Sequence, residues 1–175
     1  DIILPDTESL GAVDLEHSLF KIDLYNQDRR VHTGYSISTG IKGISHLHSC
    51  DIFSLKPGYL TFAGSVPQDE EPLDPNTEYA GVPIHFNFSE QPPDEIGENE
   101  PSDDSYADYY SVGLSFTFDL NECRYVATCR LDFPESDLLQ KDTETDMAKE
   151  ILFGITKNII DKGMQQSDAA DSEEQ

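Results

Sequence analysis

The clearest pattern in the sequence is a pair of alternating segments in the second half of the chain. Apolar residues occupy every second position of residues 110–120 and again of residues 123–133. With Leu120 opposite Cys123, all of these side chains fall on one face of a hairpin, and a slip of one residue would expose them. The pattern therefore predicts an antiparallel hairpin in that register. The opposite face is mostly polar and carries one cross-strand charge pair: Asp119 and Arg124.

Shorter alternating or apolar segments, separated by turn-forming residues, predict further strands. They are residues 19–25, 31–39, 44–53, 59–62 and 82–88. Pro83 lies near the start of the last segment. Because proline cannot donate a backbone hydrogen bond, this position favours an edge strand.

A helix is predicted at residues 146–162. Ala148, Ile151, Leu152, Ile155 and Ile159 form one apolar stripe at helical spacing. Thr143 or Thr145 could cap its beginning, and Gly163 is a plausible C-terminal stop. The predicted fold is α+β, with a curved antiparallel sheet of at least four strands and a C-terminal α-helix packed on one face.

The predicted organisation is a single domain with polar extensions. Residues 1–16 are predicted to be a loose N-terminal lead-in, and residues 17–163 are predicted to form the domain. Two proline-bearing acidic segments, residues 65–78 and 89–108, read as loops. Residues 164–175 read as a disordered acidic tail.

The charge of the chain restricts its partners. Lys and Arg number 11 against 35 Asp and Glu, a formal net charge of -24. Such a field repels phosphate backbones and anionic lipid surfaces, so neither nucleic acid nor a membrane is an expected partner. It favours solubility and attracts basic partners.

The cysteines and the N-terminus bear on location. Cys50, Cys123 and Cys129 match neither a zinc ribbon nor a disulfide framework. Free thiols are typical of a reducing compartment. No basic n-region precedes an apolar run near the N-terminus, so no signal peptide is predicted. A cytoplasmic location is the expectation.

Candidate chemistry is sparse. His46, His48 and Cys50 alternate, so on a regular strand they would face one way, as metal ligands do. Ordinary half-exposed strand positions explain them better, because no zinc spacing occurs elsewhere. No nucleophile motif or phosphate loop is present either. We therefore predict no enzyme activity, no metal and no cofactor.

Aromatic residues are the more informative signal. They crowd the middle of the chain, and one helix cannot easily cover both faces of the predicted sheet. Some of this aromatic surface should therefore be left for a partner subunit or a peptide. The candidate client-binding residues are Tyr59, Phe62, Tyr79, Phe86, Phe88 and Tyr109.

The second half of the chain, residues 82–175, resembles the SecB-like chaperone family. The resemblance lies in the strand VPIHFNF, the acidic loop after it, and the hairpin YYSVGLSFTFDLNECRYVATCRLDF. A helix carrying ILF and a polar acidic tail complete it. It implies an ATP-independent holdase for unfolded or aggregation-prone polypeptide, either an exported protein or an antitoxin. It also implies dimers or tetramers.

Two further expectations follow from the residues themselves. The apolar faces of the predicted strands exceed what one helix can hide, so a homo-oligomer or an obligate complex is expected. The acidity also permits a different function, in which ordered carboxylates mimic nucleic acid and block a basic enzyme, as immunity and anti-defence proteins do. Most acids lie in the predicted loops, which favours the chaperone.

Overall fold

A computed structural model describes residues 3–6, 13–27, 30–55, 60–61, 64–65, 74–93, 109–121 and 123–173 of the chain. The strands are β1 Val13–Gln27, β2 Arg30–Ile41, β3 Leu47–Leu55, β4 Leu60–Thr61, β5 Gly64–Ser65, β6 Thr77–Tyr79, β7 Val82–Gln91, β8 Tyr109–Leu120 and β9 Cys123–Pro134. A 3₁₀ helix, Glu135–Gln140, leads into helix α1, Lys141–Glu173. No described helix has the length and apolar character needed to cross a bilayer.

The strands form one antiparallel sheet in the order β1-β2-β3-β9-β8-β7-β6, and β4 and β5 pair separately. Helix α1 packs on β8 and β9. The α+β prediction, with at least four antiparallel strands and a C-terminal helix on one face, is confirmed. The β8–β9 hairpin becomes the centre of the sheet because β3 pairs with β9 and β7 pairs with β8.

The hairpin has the predicted register. Leu120 lies opposite Cys123, and the pairing continues without a slip to Tyr109 and Pro134. Alternate residues of β8 and β9 are buried under α1, as the alternation requires. On the opposite face, the Nε of Arg124 lies 2.8 Å from the Oδ1 of Asp119.

The predictions for the ends of β7 are partly wrong. Pro83 is not on the sheet edge, because it pairs with Glu78 of β6. The predicted loops are also shorter: residues 77–79 form β6, and residues 89–91 continue β7. The central parts of both acidic loops lie outside the described residues.

Helix α1 is longer than predicted at both ends. It begins at Lys141, so Thr143 and Thr145 lie inside it and do not cap its start. It also passes through Gly163, and the tail that was predicted to be disordered is helical to Glu173. Gly163 is buried because the helix approaches Ile3 and Leu120 there, where a Cβ atom would lie 2.6 Å and 2.4 Å from their side-chain carbons. The glycine permits close packing and does not end the helix.

The predicted loose lead-in is partly docked. Residues 13–16 belong to β1, and residues 3–6 pack beside α1. The backbone N–H of Ile3 donates to the hydroxyl of Tyr125 at 3.1 Å, and that of Asp6 donates to Asn158 Oδ1 at 2.9 Å. Lys162 donates to the carbonyl of Leu4 at 3.1 Å. This segment closes one flank of the helix.

The prediction of free thiols is wrong for two of the three cysteines. Cys50 and Cys129 lie opposite each other on β3 and β9, with Cα atoms 4.1 Å apart, and form a disulfide. Directly opposed residues on neighbouring strands bring their Cβ atoms within bonding reach of two sulfurs. Cys123 is free and buried.

Two glycines of α1 provide a matched test of this packing. A Cβ atom at Gly154 meets nothing within 4 Å, whereas one at Gly163 meets Leu120 and Ile3. Gly154→Ala should raise the free energy of unfolding by up to about 1 kcal/mol through helix propensity. Gly163→Ala should lower it by about 1 kcal/mol, because the cost of overpacking against Leu120 and Ile3 exceeds the gain in helix propensity. Urea denaturation measures both, and equal effects would contradict the packing of residues 3–6 against α1.

Candidate functional site

A groove of about 610 Å³ lies between helix α1 and the strands β6 and β7. We call it the aromatic groove. Three phenylalanines from β7, β8 and α1 form its apolar surface, and helix carboxylates and a lysine lie along its rim. Its lining is Asn76, Thr77, Phe86, Phe116, Asp146, Lys149, Glu150 and Phe153.

The alternation of β7 explains why the groove is open. Ile84, Phe86 and Phe88 share the face that looks towards α1, because each lies opposite an inward residue of β8. The helix packs on β8 and β9, so its cover ends at β7. Ile84 is fully buried, Phe86 is half-buried and Phe88 is 47% exposed. The row therefore passes from core to surface along one strand.

The rings in the groove contact one another. The centroid of Phe116 lies 4.7 Å from that of Phe86 and 5.3 Å from that of Phe153. Tyr79 meets Phe153 edge to face at 6.4 Å. Such contacts fix the ring positions beyond simple area burial. The result is a preformed aromatic surface.

Tyr79 is held by the helix at one end of this row. Its hydroxyl donates to Asp161 at 3.2 Å. Partial burial, together with the hydrogen bond and charge of Asp161, raises the pKa of Tyr79 above its ordinary value. The phenol therefore stays protonated at neutral pH and ties β6 to α1.

Lysines of α1 lie against the aromatic rings. The Lys149 ammonium is 4.7 Å from the centroid of Phe86, and the Lys157 ammonium is 4.8 Å from that of Phe153. Near the C-terminal end of β7, the ammonium group of Lys141 forms an ion pair with Glu90 at 2.6 Å. The two ring contacts are favourable, because the face of an aromatic ring attracts a cation.

Among the described residues, the outer edge of β7 is paired with β6 only at Val82, Pro83 and Ile84. Asn76 caps it at Phe86, since the amide Nδ2 donates to the Phe86 carbonyl at 2.7 Å and Oδ1 accepts from its N–H at 2.8 Å. Because backbone groups alternate along a strand, the N–H and C=O groups of Phe88 and Glu90 also point away from β8, as those of Phe86 do. Within the described part of the chain, no strand pairs with β7 beyond Ile84 on that side.

The structure brings together some of the predicted client-binding residues. Phe86 lines the groove, Tyr79 extends its ring row, and Phe88 continues the strand face towards solvent. Tyr109 lies elsewhere, in a second cleft with His46 and His48. Tyr59 and Phe62 lie outside the described residues.

Of the three phenylalanines that line the groove, the sequence prediction included Phe86 and missed two. Phe116 falls within the hairpin alternation and was assigned only to the core. Phe153 directly follows Leu152 of the buried stripe, so its side chain lies on the flank of α1 beside that stripe. That offset between a buried stripe and an adjacent aromatic residue is the signal that could have identified it.

The second cleft is bordered by a histidine clasp made of His46, Asp137 and Glu144. Nδ1 of His46 lies 3.1 Å from Glu144 Oε2, and Nε2 lies 3.0 Å from Asp137 Oδ2. The same Glu144 oxygen accepts the backbone N–H groups of Ser45 and His46 at 3.2 Å and 3.1 Å. The clasp ties the segment before β3 to the beginning of α1.

The three metal candidates do not converge. His46 is held between two carboxylates, His48 Nδ1 lies 3.2 Å from Asp132, and Cys50 is in the disulfide. A register irregularity between Leu47 and Ser49 interrupts the regular alternation that would align them. Within the described residues, no group of three or more His, Cys, Asp or Glu side chains has an arrangement that could hold a metal ion.

Comparisons with known proteins identify no relative. No protein-family model matches the chain. No match is found among curated proteins or among solved structures. The SecB-like resemblance stays a prediction, and the functional argument rests on the site itself.

The histidine clasp predicts a pH dependence of stability. Burial opposes a charge on His46, but hydrogen bonds and charges from Asp137 and Glu144 outweigh it and raise its pKa above 6.5. The stabilisation is therefore complete below about pH 6.5 and is lost as pH rises through the raised pKa. His46→Gln should lower the free energy of unfolding most below pH 6.5 and flatten its decline above that pH.

Urea denaturation between pH 5 and about pH 8.5 measures this effect. His85→Gln is the matched control, because the His85 ring hydrogen-bonds the backbone carbonyl of Asp74 and contacts no carboxylate of the described residues. An NMR titration that places the pKa of His46 at or below 6.5 would contradict the clasp.

Proposed function

We propose that the protein is an ATP-independent holdase that binds extended segments of unfolded or aggregation-prone polypeptide in the aromatic groove. The observation that carries the proposal is the row of Phe86, Phe116 and Phe153, which α1 leaves partly uncovered. It lies beside an edge of β7 with which no strand of the described residues pairs beyond Ile84. An apolar surface of this kind gains free energy from any apolar segment that removes it from water.

The open edge adds a sequence-independent contribution. An extended guest can pair with the outward backbone groups of Phe88 and Glu90 and thereby add a strand to the sheet. Main-chain pairing supports affinity for many sequences, while the rings favour apolar side chains. This combination suits a chaperone better than a receptor for one folded partner.

The charge of -24 supports the same function in two ways. It keeps a complex with an exposed, aggregation-prone client soluble, and it attracts basic clients at low salt. An antitoxin or an exported protein is the proposed client. The Cys50–Cys129 disulfide removes the free-thiol argument for a cytoplasmic location, because disulfides are typical of oxidising compartments. A homo-oligomer or an obligate complex, in which further apolar surface is covered, forms part of the proposal.

A second candidate function is the acidic inhibitor of a basic enzyme. Asp142, Asp146 and Glu150 are exposed and follow each other at four-residue spacing on α1. That spacing separates the carboxylates by about 6 Å along the helix axis. Ordered, evenly spaced carboxylates are what mimicry of a phosphate backbone requires. Lys141 and Lys149 interrupt this surface, which favours the holdase.

Phe88→Ser is the direct test of the holdase. It removes the exposed ring that continues the Phe86 face of β7 beyond the groove lining, without opening the buried core. It should weaken binding of an unfolded client by about tenfold or more. Suppression of client aggregation, followed by light scattering at equimolar chaperone, should fall in parallel.

Leu139→Ser is the matched control, because Leu139 is 96% exposed on the 3₁₀ helix and lies neither on β7 nor in the groove lining. It should leave both measurements unchanged. No suppression by the unmodified chain would reject the holdase. Tight, salt-sensitive binding to a folded basic enzyme, unaffected by Phe88→Ser, would favour the inhibitor.

A further inference from the structure

A short motif on β7 has no role in the aromatic groove. Asn87-Phe88-Ser89 is the only Asn-X-Ser/Thr triplet of the sequence in which X is not proline. A triplet of this kind is the acceptor for an N-linked glycan, which is bulky and must lie at the surface. All three residues belong to β7, so the structure shows whether the asparagine has room for a glycan.

The asparagine points away from the groove. Phe86 and Phe88 face α1, so alternation along the strand puts Asn87 and Ser89 on the opposite face of the sheet. Both residues are exposed. The side-chain amide of Asn87 hydrogen-bonds no described residue, whereas that of Asn158 anchors the N-terminal segment. A group attached to Asn87 therefore extends into solvent without breaking a hydrogen bond to the described part of the fold.

The neighbouring side chains on this face are small. Asn87 lies opposite Ser115, and Ser89 lies opposite Gly113. The Ser89 hydroxyl occupies the space that a Cβ atom of Gly113 would take. On the other side of β7, the described residues provide no strand partner beyond Ile84. The first sugar of a glycan would thus meet small side chains on one side and no described strand on the other.

The disulfide is a second, independent observation that supports the use of this motif. Cys50 and Cys129 are buried and bonded to each other. Disulfides form and persist in oxidising compartments such as the lumen of the secretory pathway, and N-linked glycans are carried by secreted proteins. A chain that acquires this disulfide therefore meets the conditions under which an Asn-X-Ser acceptor is glycosylated.

We propose that Asn87 is an N-glycosylation site and that the protein matures in an oxidising secretory compartment. The side-chain nitrogen of Asn87 attacks C1 of the first sugar of a lipid-linked oligosaccharide. The bond from C1 to the pyrophosphate oxygen breaks as the N–C1 bond forms, the nitrogen loses one proton, and the lipid pyrophosphate leaves. The Ser89 hydroxyl is the group that the transferase recognises beside the acceptor.

The site restricts how the protein can assemble. A glycan on Asn87 covers the β7 side of the sheet face opposite α1, so a partner subunit cannot pack there. Subunit contacts of the glycosylated protein must use other surfaces. The aromatic groove lies on the other face of β7, so the inference does not depend on the holdase function.

The test is secretion of the full chain, behind a cleavable signal, from cultured eukaryotic cells. Peptide N-glycosidase should lower the apparent mass of the secreted product and leave aspartate in place of Asn87, which mass spectrometry of the digested protein locates. Thiol titration of the denatured product should detect Cys123 alone, because Cys50 and Cys129 are paired.

Four variants identify the acceptor. Asn87→Gln and Ser89→Ala should each abolish the mass shift on glycosidase treatment. Ser89→Thr keeps the hydroxyl and should retain the shift. Asn99→Gln changes an asparagine outside the motif and should also retain it. Urea denaturation of the secreted variants checks that each is folded, so that loss of the glycan cannot be attributed to misfolding.

The outcomes are distinct. A secreted, oxidised chain without a glycan on Asn87 would overturn the inference and leave the holdase intact. A glycan that persists in Asn87→Gln would place the modification elsewhere and overturn the assignment. Free thiols at Cys50 and Cys129 in the secreted product would overturn the oxidising compartment. Loss of client binding by a chain that is glycosylated at Asn87 would reject the holdase alone.

Discussion

The packing of one helix on the β8–β9 hairpin decides which parts of the sheet are covered. A helix is roughly 10 Å across and neighbouring strands lie roughly 5 Å apart, so one helix covers about two strands. The sheet has seven strands. Once β8 and β9 are buried under α1, the strands on each side need other cover or remain accessible.

The sheet is covered differently on the two sides of α1. On the β3 side, residues 3–6 dock against the helix and the histidine clasp ties the segment before β3 to its beginning. On the β7 side, the Lys149 ammonium lies over the Phe86 ring and Asn76 hydrogen-bonds the Phe86 backbone, but no described residue fills the groove. The closed flank uses buried apolar contacts and specific hydrogen bonds. The open flank exposes aromatic rings whose burial by a guest would release free energy.

The fold could be predicted where periodicity alone decides the structure. The hairpin register followed from residues that a single slip would expose, and the stripe of α1 from its helical spacing. Gly163 misled the prediction because a glycine that permits close approach looks the same in sequence as one that ends a helix. The free-thiol prediction failed for Cys50 and Cys129 because these residues, 79 positions apart in the sequence, are brought together only by the pairing of β3 with β9.

The candidate site was predictable only in part, for the same physical reason. Phe86 and Phe88 stood out because they alternate on one strand, and Tyr79 because aromatics cluster nearby. Phe153 and Lys149 join them only through the position of α1 over the sheet. The account depends on this juxtaposition of strand, rings and open edge.

NMR amide exchange of the labelled chain, with and without an extended apolar peptide, tests the central claim most directly. The amides of Asn87 and Ser89 face β8 and should be protected in both states. Those of Phe88 and Glu90 face outward and should become protected only in the complex, together with contacts between the peptide and the Phe86 ring. A saturating peptide that leaves Phe88, Glu90 and Phe86 unchanged would contradict the groove as the binding site.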